Sequence, residues 1–263
     1  MKLHRILALA SRHLMLYKRS PQRIMEIIYW PVLDVVLWGF ITLYLNRYQS
    51  GLPSVVAFFL GALILWDILF RAQQGVCISF LEEIWSRNLL NLFVSPLRPI
   101  EFLASTMLIS IAKVILSSAA TVLLALLFYS FNVFTIGLSL VPFVLNLILM
   151  GWAIGVFTTA IILRYGQQAE VLAWGLVLLF MPVSAVFYPV SILPPFLQGI
   201  AKFIPASHIF EGMRTVITGG VFPARELFWA LGLNVLYLIV ALNFFFWMFG
   251  VVKRRGLLVR VGE

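Results

Sequence analysis

Four ionisable residues lie inside long apolar stretches of this sequence: Asp34, Asp67, Arg71 and Lys113. Charged side chains at membrane depth are costly, and they usually face other protein groups or a water-filled pathway. Asp67 and Arg71 are four residues apart, which places them on one helical face and predicts a local ion pair. Such acids and bases could relay protons, but a structural interhelical ion pair requires the same residue types. We favour the structural interpretation, because two acids and two bases can neutralise one another without transport chemistry.

The motifs that would supply energy or catalysis are absent from the sequence. None of the five lysines follows a glycine, so there is no phosphate-binding loop ending in Gly-Lys-Ser/Thr. HExxH, CxxC and GxSxG motifs are also absent. The single cysteine, Cys77, excludes an intrachain disulfide. We therefore expect a protein that is not an enzyme and has no cofactor or metal of its own.

Hydropathy indicates the class of protein. The chain of 263 residues is 62% hydrophobic with a mean hydropathy of +1.03, far above the values of soluble domains. Because a helical span needs about 20 mostly apolar residues, the sequence predicts one all-α membrane domain over residues 1–263. The first apolar run is too long for a signal-peptide core and lacks a small-residue cleavage site, so we expect it to be retained. The six predicted spans are residues 24–45, 54–80, 100–129, 137–163, 171–188 and 227–252.

Basic residues fall mostly on one side of these spans. Of the 19 Lys and Arg residues, two lie within spans and thirteen lie on the side of the termini. The remaining four are Arg47, Lys202, Arg214 and Arg225. The positive-inside rule then places both termini in the cytoplasm. The one-sided distribution of the basic residues thus accounts for the net charge of +9 as a feature of membrane topology rather than of nucleic-acid binding.

Residues 1–22 predict an amphipathic helix that lies in the membrane interface. Apolar residues recur at helical spacing, and the basic residues fall on the opposite side. The basic face would contact anionic lipid headgroups while the apolar face enters the acyl boundary. A basic arm that binds a protein partner is the alternative. The apolar positions are Leu3, Ile6, Leu7, Ala10, Leu14 and Tyr17, and the basic ones are Lys2, Arg5, Arg12 and Arg19.

A second amphipathic helix is predicted over residues 81–97, LEEIWSRNLLNLFVSPL, between the second and third spans. Leu90 and Val94 fall on or near its polar face, and apolar residues on an exposed face indicate a protein partner. An ordinary interfacial loop helix is the alternative. The apolar face comprises Trp85, Leu89 and Leu92, and the polar face comprises Glu83, Arg87 and Asn91.

The connection between the fifth and sixth spans, residues 189–226, is too apolar for a solvated loop. Its prolines exclude one continuous helix and predict two short helices, over residues 195–203 and 207–218. We expect these helices to enter and leave the outer leaflet, as re-entrant helices at the mouth of a pathway. The residues that define this segment are Pro194, Pro195, Pro205, His208, Glu211 and Arg214. Glu211 and Arg214 are three apart and predict a surface pair, which could either secure the helices or line an exit.

Taken together, these features resemble the transmembrane subunits of ABC-2 type exporters, which include permeases for polysaccharides, lipo-oligosaccharides and drugs. The resemblance covers nearly the whole chain, from the basic N-terminal helix to the sixth span. Its most specific part is VFYPVSILPPFLQGIAKFIPASHIFEGMR, residues 186–214. The Leu-Gly-x-x-Trp element that often precedes the first span of polysaccharide permeases is absent, which argues against glycan export without selecting drugs or lipids.

The resemblance implies a bacterial inner-membrane half-transporter that forms a homodimer and binds two copies of a cytoplasmic ABC ATPase, which holds ATP and Mg²⁺. The helix after the second span would be the coupling helix, the short loop 164–170 a secondary contact, and the N-terminal helix the connecting helix. The implied ATPase-docking residues are Glu82, Glu83, Trp85, Arg87, Leu90, Asn91, Val94, Arg164 and Gln167.

Two other classes of function are open to a membrane chain of this composition. A proton-coupled secondary transporter would use Asp34 and Asp67, but that function leaves the amphipathic helix 81–97 unexplained. A membrane-embedded lipid enzyme would need a paired nucleophile and base, which the sequence does not show. The favoured function is therefore an ATP-driven permease for an amphipathic, lipid-linked, glycan or drug-like substrate.

Overall fold

A computed structural model describes residues 2–48 and 54–256 of the chain. These residues form helices and their connections, without a strand, which confirms the all-α prediction. Three 3-10 segments, Val133–Ser139, Gly166–Ala169 and Val190–Ile192, join some of the helices. The α-helices are α1 (Leu3–Arg19), α2 (Pro21–Tyr48), α3 (Ser54–Trp85), α4 (Leu89–Val94), α5 (Pro99–Tyr129), α6 (Leu140–Tyr165), α7 (Val171–Val183), α8 (Pro195–Ala201), α9 (Pro205–Gly219) and α10 (Ala224–Arg254).

Five helical segments of the described residues are long and apolar enough to cross a membrane. They correspond to the predicted spans one to four and six, and they define an integral multi-pass membrane protein. The segments are Pro21–Tyr44, Phe58–Trp85, Pro99–Tyr129, Val133–Ala169 and Ala224–Arg254.

The predicted fifth span, residues 171–188, is not one continuous helix. α7 ends at Val183 after 13 residues, which is about 20 Å at 1.5 Å per residue and short of a hydrocarbon core of about 30 Å. Pro182 lies inside its last turn, and Ala185 has a φ of 52°. The backbone therefore turns at residues 184–185, a feature that the apolar composition of the run does not reveal.

The central helix is α3, which packs between α5 and α6. Two glycines of α6 permit a close approach to it. A Cβ atom at Gly151 would lie 2.7 Å from the carbonyl oxygen of Leu69, and one at Gly155 would lie 2.9 Å from that of Gln73. Small residues at such crossings allow membrane helices to approach closely enough for extensive van der Waals contact.

The connecting elements lie at two opposite ends of the bundle. α1 contacts α5 and α2, and the ring of Phe93 in α4 lies 5.0 Å from that of Phe249 near the end of α10. We call this the α1 end. α8 and α9 lie at the other end, where α9 packs on α10 and α6, and we call it the α9 end.

The helix predicted over residues 1–22 is α1. One face of it packs on the bundle, with Ile6, Ala10 and His13 buried. Leu3 and Leu7 remain exposed on the outside. Apolar side chains that the protein leaves uncovered suit a helix lying at a membrane interface, although its depth stays a prediction.

Candidate functional site

The segment predicted as one helix over residues 81–97 is divided between the end of α3 and the short helix α4. α3 continues through the acidic pair as far as Trp85, and a turn then leads to the six-residue α4. Arg87 in this turn has a φ of 53°, a left-handed conformation that ends the first helix. The Asn88 side chain donates a hydrogen bond of 2.6 Å to Glu83 Oε2 and so closes the turn. The prediction of one continuous helix over residues 81–97 is therefore wrong. The backbone hydrogen bonds of α3 continue beyond the apolar residues of the second span as far as Trp85.

Glu83 faces α1 rather than the outside, with only 1% of its surface exposed. Arg12 of α1 donates hydrogen bonds of 2.8 and 3.2 Å to its two oxygens, a bidentate arrangement that favours a fixed geometry. His13 Nε2 lies 3.2 Å from Glu83 Oε1. The sequence placed Glu83 on the polar, outward face of the helix. The structure corrects this, because Glu83 is buried against α1.

Glu82 makes a second set of contacts with the same helix. The Tyr17 hydroxyl donates a hydrogen bond of 2.9 Å to Glu82 Oε1, and His13 Nδ1 lies 3.4 Å from Glu82 Oε2. Arg23, at the start of α2, lies 3.4 Å from Glu82 Oε1. We call Arg12, His13, Tyr17, Glu82 and Glu83 the α1 anchor.

Glu101 holds the first turn of α1 in a similar way. Its carboxylate accepts hydrogen bonds from the backbone N–H groups of Lys2, at 2.8 Å, and Arg98, at 3.0 Å. Arg5 lies 3.5 Å from it and also donates to the Pro96 carbonyl. Sequence reasoning did not select Glu101 or His13; the signal for Glu101 was its position three residues after Arg98 and just after Pro99, typical of a helix start.

His13 makes the α1 anchor sensitive to pH. Burial lowers the pKa of His13, but the nearby carboxylates of Glu82 and Glu83 raise it more, so its pKa lies above the ordinary value of 6.5. A raised folded-state pKa means that the stabilisation by protonated His13 is complete below pH 6.5 and disappears as the pH rises through the folded pKa.

We therefore expect α1 to be held more firmly in mildly acidic than in alkaline solution. The measurement is hydrogen exchange of the α1 amides in nanodiscs across this pH range, after correction for the intrinsic pH dependence of exchange. His13→Gln should remove much of the pH dependence, whereas His4→Gln, which alters a histidine outside the anchor, should leave it intact. Equal pH dependence in wild type and His13→Gln would contradict the assignment.

Several of the predicted residues remain on the outer surface of the α1 end, and one of them contacts the α6–α7 connection. Trp85 is 44% exposed, and its indole N–H donates a hydrogen bond of 3.2 Å to Glu170. Val94 is 78% exposed, and Arg87, Asn91 and Gln167 are also exposed. We call these five residues, Trp85, Arg87, Asn91, Val94 and Gln167, the docking surface. Arg164 beside it is half-buried, and the Leu90 side chain lies outside the described ones.

The charged residues predicted within spans line two adjoining cavities. A cavity of about 600 Å³ between α2, α3, α5 and α7 is lined by Asp34, Asp67 and Arg71 among others. Arg71 Nε lies 3.2 Å from Asp67 Oδ1, which confirms the predicted pair, and Ser117 donates a hydrogen bond of 2.5 Å to the other Asp67 oxygen. Lys113 lines the smaller cavity of about 150 Å³, with its ammonium 4.8 Å from the centre of the Tyr17 ring.

Two short helices do follow the predicted fifth run, with Pro195 and Pro205 as their first residues and Pro194 immediately before the first of them. Pro at the first helical position is favoured because its missing N–H has no partner there. The helices lie at the α9 end, and their depth in a membrane stays a prediction.

The predicted pair on α9 is present and connects this helix to the end of the α7 segment. Arg214 lies 3.8 Å from Glu211 and donates to the carbonyls of Ala185 and Tyr188. Glu211 accepts a 2.6 Å hydrogen bond from the backbone N–H of Val190. Arg214 and Glu211 thus secure α9 to the segment after α7, while Glu211 also lines a cavity at the α9 end.

His208 contacts an acidic residue within the α9 end. Its Nδ1 lies 2.5 Å from Glu226 Oε2, at the start of α10. The pair lines a cavity of about 570 Å³. His208 therefore links α9 to the start of α10.

The fold defines a helical multi-pass membrane protein. The sequence model of a family described as ABC-2 family transporter protein matches residues 19–251. The chain belongs to this family, as its resemblance to ABC-2 exporter permeases predicts. A comparison with curated proteins gives no match.

Proposed function

We propose that this chain is the transmembrane subunit of an ATP-driven exporter that moves an amphipathic, lipid-linked, glycan or drug-like substrate out of the cytoplasm. A separate ABC ATPase would bind ATP and Mg²⁺ and supply the energy. Two copies of the chain and two ATPases would form the complete transporter in the inner membrane, with both termini in the cytoplasm. The sixth crossing would be α7 together with residues 184–188, because this stretch leads from Glu170 beside Trp85 to Tyr188 beside Arg214 of α9. Alternating access at the interface of the two copies would move the substrate.

The observation that carries this proposal is the docking surface. Trp85 at the end of α3 contacts Glu170 in the α6–α7 connection, and Arg87, Asn91 and Val94 are exposed on the turn and the helix that follow Trp85 in the chain. A large exposed valine and an exposed tryptophan beside polar groups suit a protein contact better than water. The docking surface is also fixed to α3, the most buried of the candidate spans, so movement of a bound ATPase would reach the centre of the bundle.

The alternative of a proton-coupled transporter receives less support from the contacts. It would require Asp67 to gain and lose protons, yet this residue is held by Arg71 and Ser117. A structural ion pair accounts for the same contacts without proton transfer.

The test of the function begins with whether the neighbouring reading frame encodes a soluble ABC ATPase. Co-purification of the chain with that ATPase is then followed by ATP hydrolysis and transport in liposomes. Val94→Asp should abolish ATPase binding, since a charge in the centre of an apolar contact is costly. Val221→Asp is the matched control, because Val221 is 63% exposed between α9 and α10 at the opposite end. An unaffected ATPase complex in Val94→Asp would exclude the docking surface. Transport by the wild-type chain alone, driven by a pH gradient, would exclude the function itself.

A further inference from the structure

One face of α2 carries acidic and indole side chains in alternation. Glu26, Trp30, Asp34 and Trp38 are spaced four residues apart, and all four line the cavity of about 600 Å³. Residues at this spacing are neighbours on a helix surface. An incoming molecule would therefore meet carboxylates and indole rings in turn along a single wall.

The facing walls of this cavity are also aromatic. α3 contributes Trp66 and Phe70, and α7 contributes Trp174. A cavity of 300–1,000 Å³ with mostly apolar walls and a few polar groups is typical of sites for drug-sized ligands. Indole faces attract cations through their quadrupole, so these walls suit a molecule that has both an apolar body and a positive charge. We call this space the aromatic cavity.

The charges around the aromatic cavity and the smaller cavity beside it do not balance. Four acidic and three basic residues line the two cavities. Asp67 lies beside Arg71, and Glu82 lies beside Arg23. The charge of Lys113 interacts with those of Glu82 and Glu26, and the charge of Arg71 interacts with that of Asp34 as well as with its partner Asp67. Asp34 makes no ion pair with another described residue. The charged groups that line the two cavities are Glu26, Asp34, Asp67 and Glu82, with Arg23, Arg71 and Lys113.

A polar group of α3, on the facing wall, also lacks a partner. Gln74 is 6% exposed and lines both cavities. Its Oε1 accepts a hydrogen bond of 3.3 Å from Arg71, but its Nε2 has no hydrogen-bond partner among the described residues. A buried donor without a partner is costly, so a bound molecule with an acceptor atom near its charge would be stabilised here.

We propose that the aromatic cavity binds an organic monocation with an aromatic or aliphatic body, and that Asp34 faces its charge. The inference rests on the proposed function, for which it specifies the substrate class. Asp34 lies 13 residues into α2, about 20 Å from its start, where a carboxylate without a direct ion-pair partner is unfavourable. A neutral glycan could stack on the same indoles, but it would not supply such a partner.

The test uses tetraphenylphosphonium and tetraphenylborate, which have the same shape and opposite charges. Binding to the purified chain in nanodiscs is measured by equilibrium dialysis, with empty nanodiscs subtracted, so it does not depend on the ATPase. We expect saturable binding of tetraphenylphosphonium and none of tetraphenylborate. Asp34→Asn should raise the Kd about tenfold, as loss of a charged contact predicts, and Asp34→Glu should restore most of the affinity. Glu226→Gln, at the α9 end, is the matched control and should bind like wild type.

Three outcomes would overturn the inference. The first is equal binding of the two probes, and the second is unchanged affinity in a well-folded Asp34→Asn chain. The third is that neutral maltoheptaose displaces tetraphenylphosphonium equally well from wild type and from Asp34→Asn. Failure of the two proposals can be told apart. Loss of ATPase docking with intact cation binding would reject only the exporter function. ATPase docking without cation binding would reject only the substrate class.

Discussion

Replacing Glu83 with alanine is expected to release α1 from the rest of the chain. The substitution removes both hydrogen bonds from Arg12, the contact with His13 and the acceptor for the Asn88 amide. His13 has no exposed surface and cannot turn to solvent without moving the helix. Arg12 is partly exposed and can be hydrated instead, so the cost should be about 2–3 kcal/mol, below that of a fully buried pair.

Hydrogen exchange of residues 3–19 in nanodiscs measures this effect directly. The amides of α1 should exchange about 30-fold faster or more in Glu83→Ala, as a cost of about 2 kcal/mol implies. Glu170→Gln is the control, because that acid makes one contact, with the exposed Trp85, and its loss should leave α1 protected. Wild-type exchange rates in Glu83→Ala would show that the other contacts of α1, those of Glu82 and Glu101 and its apolar face, hold the helix without Glu83.

Removal of Asp67 should have the largest effect on folding. Asp67→Ala leaves the buried Arg71 without the carboxylate with which it pairs. Breaking a buried pair in this way should lower the free energy of unfolding by about 3–5 kcal/mol. Less protein should be recovered as a single species after extraction, and its apparent melting temperature should fall. Ser117→Ala removes only the hydrogen bond from Ser117 to Asp67 and should cost about 1 kcal/mol.

The double variant Asp67→Leu with Arg71→Met decides whether this pair is structural. Apolar replacements of similar volume avoid the uncompensated charge and often restore stability, so the double variant should be more stable than Asp67→Ala. If Asp67 served a proton relay instead, Asp67→Asn would preserve stability and change the pH dependence of transport. That result would support the proton-coupled function over the exporter.

Contacts within one helix or between close neighbours followed directly from the sequence. The pairs Asp67–Arg71 and Glu211–Arg214 are present because helical spacing alone brings residues three or four apart together. The short helices at Pro195 and Pro205 followed from local backbone restrictions of proline. The long spans followed from hydropathy, since a bilayer requires about 20 apolar residues in each.

The sequence by itself thus determined an all-helical, multi-pass membrane chain, most of its spans and its family resemblance. Only the tertiary structure decided that Glu83 faces α1, that α7 ends at Val183, and that Asp34 lines an aromatic cavity. The physical reason is that hydropathy and periodicity are local properties of the chain. In a membrane protein the surfaces that contact lipid and those that contact other helices are both apolar, so the sequence pattern cannot tell which face of a helix becomes buried.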